Sequence, residues 1–319
     1  MKYILGMLML LNTLFANENL HSIYENIILK NVTNAQKVAK TLASSIKEEE
    51  VLTSQNDFRE FVQAWKSVEA FYILGDLDDN YLDSPRYIDT FHEGNEDIKE
   101  QLDLIINTQE SLTIALYKNS HKTINALEYV LFAKDIKKAR VNAIALIIID
   151  TIQNNLEEIY QGYKESQKLF ESDEQKANSM MLNSLIESSY KLKEWRVGDP
   201  AGLSRKYKGE LDNEKGEYFL SQSSLLAIEA ILQTHLKLLS KQKFPNFGTM
   251  IDSYGVKDEL QNSIEYLNVA LRESQSIQND DFSKAKPLYK SLKKLHVTYY
   301  ISLIGKLKIT SKILDADGD

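Results

Sequence analysis

The chain has no cysteine, and only four prolines and twelve glycines in 319 residues. Without thiols there is no disulfide framework, no thiolate nucleophile and no sulfur set for zinc, so the packed core alone must hold the fold. The scarcity of helix breakers, with long polar–apolar stretches between them, disfavours a sheet-rich protein and points to an all-α fold. Excess basic charge is also missing. The net charge is −8 and the pI about 5.4, which argues against a nucleic-acid partner held by phosphate neutralisation. Familiar catalytic signatures are absent: no HExxH, no GxSxG elbow, no Walker loop and no GxGxxG. The nearest approach to a zinc helix, His92-Glu93-Gly94-Asn95-Glu96, lacks the second histidine. With five histidines in all, carboxylate sites suited to hard cations such as iron, calcium, magnesium or manganese are easier to build than zinc sites.

A run of about 20 apolar residues, as a membrane span requires, is likewise missing. Residues 1–16, MKYILGMLMLLNTLFA, read instead as a secretory signal peptide: Lys2, an apolar run from Tyr3 to Leu11, and a cleavage region ending at Ala16. The other reading of this stretch is an amphipathic starting helix, and Leu14 at the minus-three position leaves the cleavage point open. Export would place the protein in the periplasm, with no membrane span in the mature chain. No cysteine follows the apolar run, which excludes the usual lipoprotein anchor. Losing Lys2 with the signal takes the net charge from −8 to −9.

What is present is helical periodicity. Leu20, Ile23, Ile27, Val32, Ala35, Val38, Ala39 and Leu42 recur at helical spacings, and Asp57 is a candidate cap for a helix through Phe58, Phe61, Val62, Trp65, Val68 and Tyr72. Further helices are predicted at 95–118, 121–134, 136–168, 172–195, 216–242, 256–278 and 284–314. The apolar run 143–149, bracketed by Asn142 and Asp150, reads as a buried helix. Lys290, Lys293, Lys294, Lys306 and Lys308 mark a solvated face. Two segments interrupt the helices: 75–94, rich in Asp, Ser, Pro and Gly yet carrying the rings of Tyr81, Tyr87, Phe91 and His92, and 196–209. Asn-Ala-Leu-Glu-Tyr-Val-Leu at 125–131 echoes Leu-Ala-Ile-Glu-Ala-Ile-Leu at 226–232. The expected organisation is a bundle half over 17–168 and a second over 169–319, with a pocket at their interface.

Three constellations could carry chemistry. Glu128 stands in the apolar run 123–132, one turn after Asn125, and burying an unpaired carboxylate there costs several kcal/mol. It must be exposed, paired, protonated or bound to a ligand. Arg86, Asp89 and His92 follow one another at intervals of three, and on a helix would form an anion or metal pocket or a salt bridge tying down the segment. Arg196, Asp199 and Arg205 surround Gly198-Asp-Pro-Ala-Gly202, where glycines permit close backbone approach. Arg196 is a candidate partner for Glu128 or for Glu229. Trp65 and Trp195 suit core or pocket-wall positions.

These residues resemble the imelysin family of bacterial envelope proteins. Trp65 through Phe71 lead into a Gly75-Asp segment, and Thr123-Ile-Asn125-Ala-Leu-Glu128-Tyr-Val-Leu-Phe aligns with that family's GxHxxE motif and the apolar run after it. Glu128 takes the Glu position, Asn125 stands where His is expected, and Thr123 replaces the Gly. The resemblance implies two helical bundles with a pocket between them, a link to iron uptake and classification among metallopeptidases. Replacing the His removes the motif's transition-metal ligand, although Asn still offers a neutral oxygen to a hard cation.

The leading expectation is a periplasmic binding or accessory protein linked to iron or another nutrient. Its pocket would be lined by Glu128, Asn125, Arg86, Asp89, His92, Arg196, Asp199 and Glu229, and would take a small ligand, a divalent metal or iron, in concert with envelope iron-uptake proteins. The alternative is a metallopeptidase in which Glu128 and His92 hold the metal. A third reading is a helical scaffold in which Glu128 pairs with Arg196.

Overall fold

A computed structural model describes residues 18–94 and 96–312. The signal peptide expected at 1–16 lies outside the described residues. Among them the chain is helical, with no strand. The first helix, α1, runs over 18–47 through a π-helical stretch, Tyr24–Leu29. Then follow α2 (Val51–Glu69), α3 (Ile98–Asn107), α4 (Ile124–Ala133) and α5 (Ala139–Ser172). α6 (Glu174–Lys191) continues into a π-helical turn, Leu192–Gly198. α7 (Ser224–Leu239), α8 (Lys257–Ser276) and α9 (Lys286–Val297) complete the long elements. No helix among the described residues is long and apolar enough to cross a membrane.

Local chemistry accounts for most of this order. α4 is apolar nearly all round, and such a helix must be buried. Ile124, Ala126, Leu127, Val130 and Leu131 are all enclosed, between α2 and α5. The run 143–149 lies inside the 34-residue α5, as its apolar content requires. Asp173 caps α6 through the Lys176 N–H, so the chain breaks there, past residue 168. α1 packs on α2 and α5, while α7, α8, α9 and α6 pack on one another. α2 against α7 is the main contact joining the two groups. The five lysines of the last helical stretch are exposed.

Three expectations are corrected. Asp57 is not a cap, because α2 starts a turn and a half earlier at Val51. The helix predicted over 95–118 ends at Asn107, where Thr108 is extended. The stretch 216–223 is not helical, since Tyr218 and Gln222 adopt left-handed φ values of 58° and 53°.

After α7 the chain turns back on itself so closely that a side chain cannot fit at Gly248. A Cβ there would lie 1.9 Å from the backbone oxygen of Leu239. Gly248→Ala gains helix propensity but must push two backbones apart. We expect a net loss of about 2 kcal/mol in urea unfolding, with an unchanged or raised midpoint as the contrary result.

Candidate functional site

α2 carries a charge on its apolar stripe. Lys66 follows Phe58 and Val62 at helical spacings and is fully buried, with Glu69 a turn further on. The segment after α2 folds back over it and delivers Asp89. The π turn after α6 delivers Arg196, and the turn before α7 delivers Glu217 and Tyr218. These side chains meet in one buried cluster. Lys66 Nζ lies 2.6 Å from Glu69 Oε2, from Asp89 Oδ2 and from Glu217 Oε1. Arg196 Nη2 donates to both Glu69 oxygens at 2.9 Å, and its Nε donates to Glu217 Oε2 at 2.7 Å. Asp89 also accepts from Trp65 Nε1 at 3.2 Å, from the Phe91 N–H at 2.9 Å and from the Tyr218 hydroxyl.

Three carboxylates face two cations, which leaves one uncompensated negative charge. Burial opposes ionisation of all three acids, yet Arg196 and Lys66 hold Glu69 well below the usual carboxylate range. For Asp89, Lys66 likewise overcomes burial and the repulsion of Glu69. Glu217 is the exception. Burial, reinforced by Asp89 and Glu69, pushes it up despite both cations, so the surplus charge falls on the most enclosed acid. Burial works against the Lys66 ammonium too, but the three carboxylates keep it charged. Holding Lys66, Asp89, Glu217 and Arg196 away from water, with Glu69 partly exposed at the cavity, is costly unless every lone pair and proton finds a partner, and here the partners come from α2, the π turn after α6 and two loops.

Backbone strain holds two of these loops. Tyr218 sits in the left-handed region, an outlier for a bulky residue. Its position is fixed by the hydroxyl bond to Asp89 and by Lys66 Nζ 5.2 Å from its ring centre. His92, at φ 62°, turns its ring onto Trp195, with centroids 4.7 Å apart and planes 4° from parallel. Its Nε2 reaches Asp199 Oδ2 at 2.9 Å. Gly202, at φ 64°, lies against the backbone of Glu210 and Leu211, the close approach its sequence context suggested.

Above the cluster opens a cavity of about 430 Å³. Glu69, Asp89 and Arg196 form its floor, and Phe91, Tyr72 and Trp195 supply aromatic surface. Arg86, Glu93, Lys191 and Lys312 are also in its lining. Residues 69–93 contribute one side, and residues 183–196 with Ile231 and Lys312 the other. The π-helical winding of Leu192–Gly198 matters here: it brings the adjacent Trp195 and Arg196 both onto the cavity.

The predicted residues divide sharply. Asp89 and Arg196 join the cluster, and His92 and Asp199 meet behind Trp195. Arg86 and Asp89 both line the cavity, whereas His92 is turned onto Trp195 and Asp199, because the segment is a series of tight turns rather than a helix. Arg86 is 59% exposed and pairs with Asp83 and Glu93. Arg205 is exposed. Glu128 is buried, but Arg196 is not its partner. It accepts from the Ser221 N–H at 2.9 Å and the Ser221 hydroxyl at 2.7 Å, and burial raises its pKa to about 7. Asn125 uses its carbonyl oxygen on the Thr90 N–H and hydroxyl, at 2.8 and 3.0 Å. Glu229, the echo of Glu128 on α7, is half-buried beside Gln275 and raised by burial. Neither Glu128, Asn125 nor Glu229 lines the cavity. Lys66, Glu69, Glu217 and Ser221 were not singled out from the sequence. Lys66 on an apolar stripe is the same kind of signal that marked Glu128.

A metal at the aligned motif does not fit these side chains. Asn125 and Glu128 are engaged with Thr90 and Ser221, and His92 with Asp199. Among the described residues, the acids with ligand-like spacing are Glu69, Asp89 and Glu217, whose oxygens lie within 4.8 Å of one another. That space is held by the Lys66 ammonium.

Fold and site together define an all-α protein with a charged cleft over a buried ion cluster. The Imelysin family model matches residues 21–296, and the chain belongs to that family. No curated protein matches it in sequence. Its fold is similar to that of an imelysin-like protein from Psychrobacter arcticum 273-4, at 17% identity and a TM-score of 0.78, over 94% of this chain and 98% of that one. It is also similar to a protein named as an iron-regulated protein A precursor from Parabacteroides distasonis ATCC 8503, at 11% identity and a TM-score of 0.67, over 92% and 95%.

Proposed function

We propose that the chain is a periplasmic binding or accessory protein of the imelysin type, tied to the uptake of iron or another envelope nutrient, with its ligand in the cleft. The observation that carries this reading is the cleft itself: a cavity of ligand size with aromatic surface from both sides and a charged floor. The iron-regulated name of one structural relative supports the nutrient link. On this reading residues 17–168 and 169–319 act as two halves, and the ligand bridges side chains from both. A small polar molecule or a metal chelate suits a lining that mixes arginine and lysine with carboxylates. Against the peptidase reading stands Glu128, which is enclosed, bonded to Ser221 and absent from the cleft lining.

Calorimetric titration of the purified chain with ferric citrate, iron salts, calcium and free amino acids tests the proposal. Saturable binding of one of these is expected, weakened tenfold or more by Trp195→Ala in protein that still unfolds cooperatively. Binding that ignores Trp195, or no binding together with peptide cleavage abolished by Glu128→Gln, would sink it.

A further inference from the structure

We infer that Lys66 is the resident cation of the tricarboxylate cluster, its ammonium standing where a divalent metal ion would otherwise sit, so that the cleft works without a metal in its floor. This rests on the reading of the cleft as a ligand site. Three observations carry it. First, the match in number and distance: Nζ lies 2.6 Å from one oxygen of each of three acids, donating hydrogen bonds to Glu69 and Asp89 and pairing with Glu217 by charge. Three carboxylates from separate elements, their oxygens within 4.8 Å, are the ligand set a hard cation takes. Second, the acids are preset. Trp65 Nε1, the Phe91 N–H and the Tyr218 hydroxyl hold Asp89, and Arg196 holds Glu69 and Glu217. Orientation by outer partners is what metal sites require. Third, charge. With Lys66 the five groups sum to one negative charge. Without it, three carboxylates and Arg196 leave two, which one divalent ion neutralises.

A tethered ammonium is present at any metal concentration, whereas a bound ion is held only in proportion to its concentration. Capture of a metal-free ligand in the cleft is therefore expected to be insensitive to chelators.

The test uses full-length wild type, Asp89→Asn, Lys66→Met and the double variant Lys66→Met/Asp89→Asn, all treated with EDTA and dialysed. Manganese(II) is titrated and free ion read by electron paramagnetic resonance, with melting temperature followed in parallel. Wild type is expected to show no manganese site sensitive to Asp89→Asn. Lys66→Met is expected to bind one ion per chain and to melt higher as manganese is added, and the double variant to lose that ion. A stoichiometric ion in wild type that Asp89→Asn abolishes would overturn the inference, as would a folded Lys66→Met that leaves millimolar manganese free. If Lys66→Met stays unfolded even with manganese, the wild-type measurement decides alone. Failure of the cleft proposal looks different: wild type binds none of the organic or chelate probes while the manganese results stand.

Discussion

Arg196→Met should lower the free energy of unfolding by roughly 3–5 kcal/mol, the usual cost of removing one partner from a buried ion pair. Methionine fills much of the same volume, so the loss is mainly electrostatic. Arg196 is 4% exposed and closes both Glu69 and Glu217. In its absence Lys66 alone faces three acids, and the cluster must take up protons or admit water. Two further results follow if this account is right. The deficit should shrink in acid, where Glu217, already pushed up by burial, protonates most readily. Adding Glu217→Gln should restore part of the loss, with a coupling energy of about 1–3 kcal/mol in a double-mutant cycle. Urea unfolding at several pH values reads all three quantities. A single-variant loss below about 1 kcal/mol would mean that water already screens the cluster, as at a surface pair.

The cluster also shows what sequence can and cannot convey. The long helices were legible because burial imposes a 3.6-residue period on α1, α2 and α5, and because α4 is apolar nearly all round. Glu128 was legible as a buried acid for the same reason. Its partner was not, since Ser221 lies 93 positions away in a turn built by two left-handed residues that ordinary propensities place elsewhere. The three-residue spacing of Arg86, Asp89 and His92 puts them at one site only if the segment is a helix. The segment is instead a chain of turns, so their directions diverge: outward to Asp83, inward to Lys66, and across to Asp199. Asp89 and Arg196 were recognised singly, while their partners Lys66, Glu69 and Glu217 come from distant parts of the chain. Spacing within one helix cannot reveal a cluster assembled by tertiary packing. The aligned Asn125 illustrates the reverse. The motif marks a real structural junction, where Asn125 fixes the Thr90 turn, even though no ligand role is visible there.

Glu128→Gln is expected to stabilise the protein, by an amount that grows as pH rises above 4.5 and levels off above about 7. The ordinary value for the carboxyl is 4.5; burial raises the native one to about 7 against the Ser221 hydrogen bonds. Below 4.5 both states hold the proton and Glu128 contributes no penalty. Between 4.5 and about 7 the native state retains a proton that the unfolded chain has released, so stability falls as pH rises. Above about 7 the full penalty applies, roughly 3 kcal/mol for a shift of this size. Glutamine mimics the protonated acid and keeps an oxygen for the Ser221 N–H and hydroxyl. Urea unfolding should therefore show the variant level with wild type at pH 4 and ahead by that amount at pH 8. A difference that does not vary with pH would mean that the carboxylate is compensated in the native state by a cation. The same protein samples carry the functional question. A stabilised variant that still binds its ligand leaves Glu128 as a structural bridge between α4 and the turn before α7. A stabilised variant that loses binding shows the charge being retained at a cost in stability because the cleft depends on it.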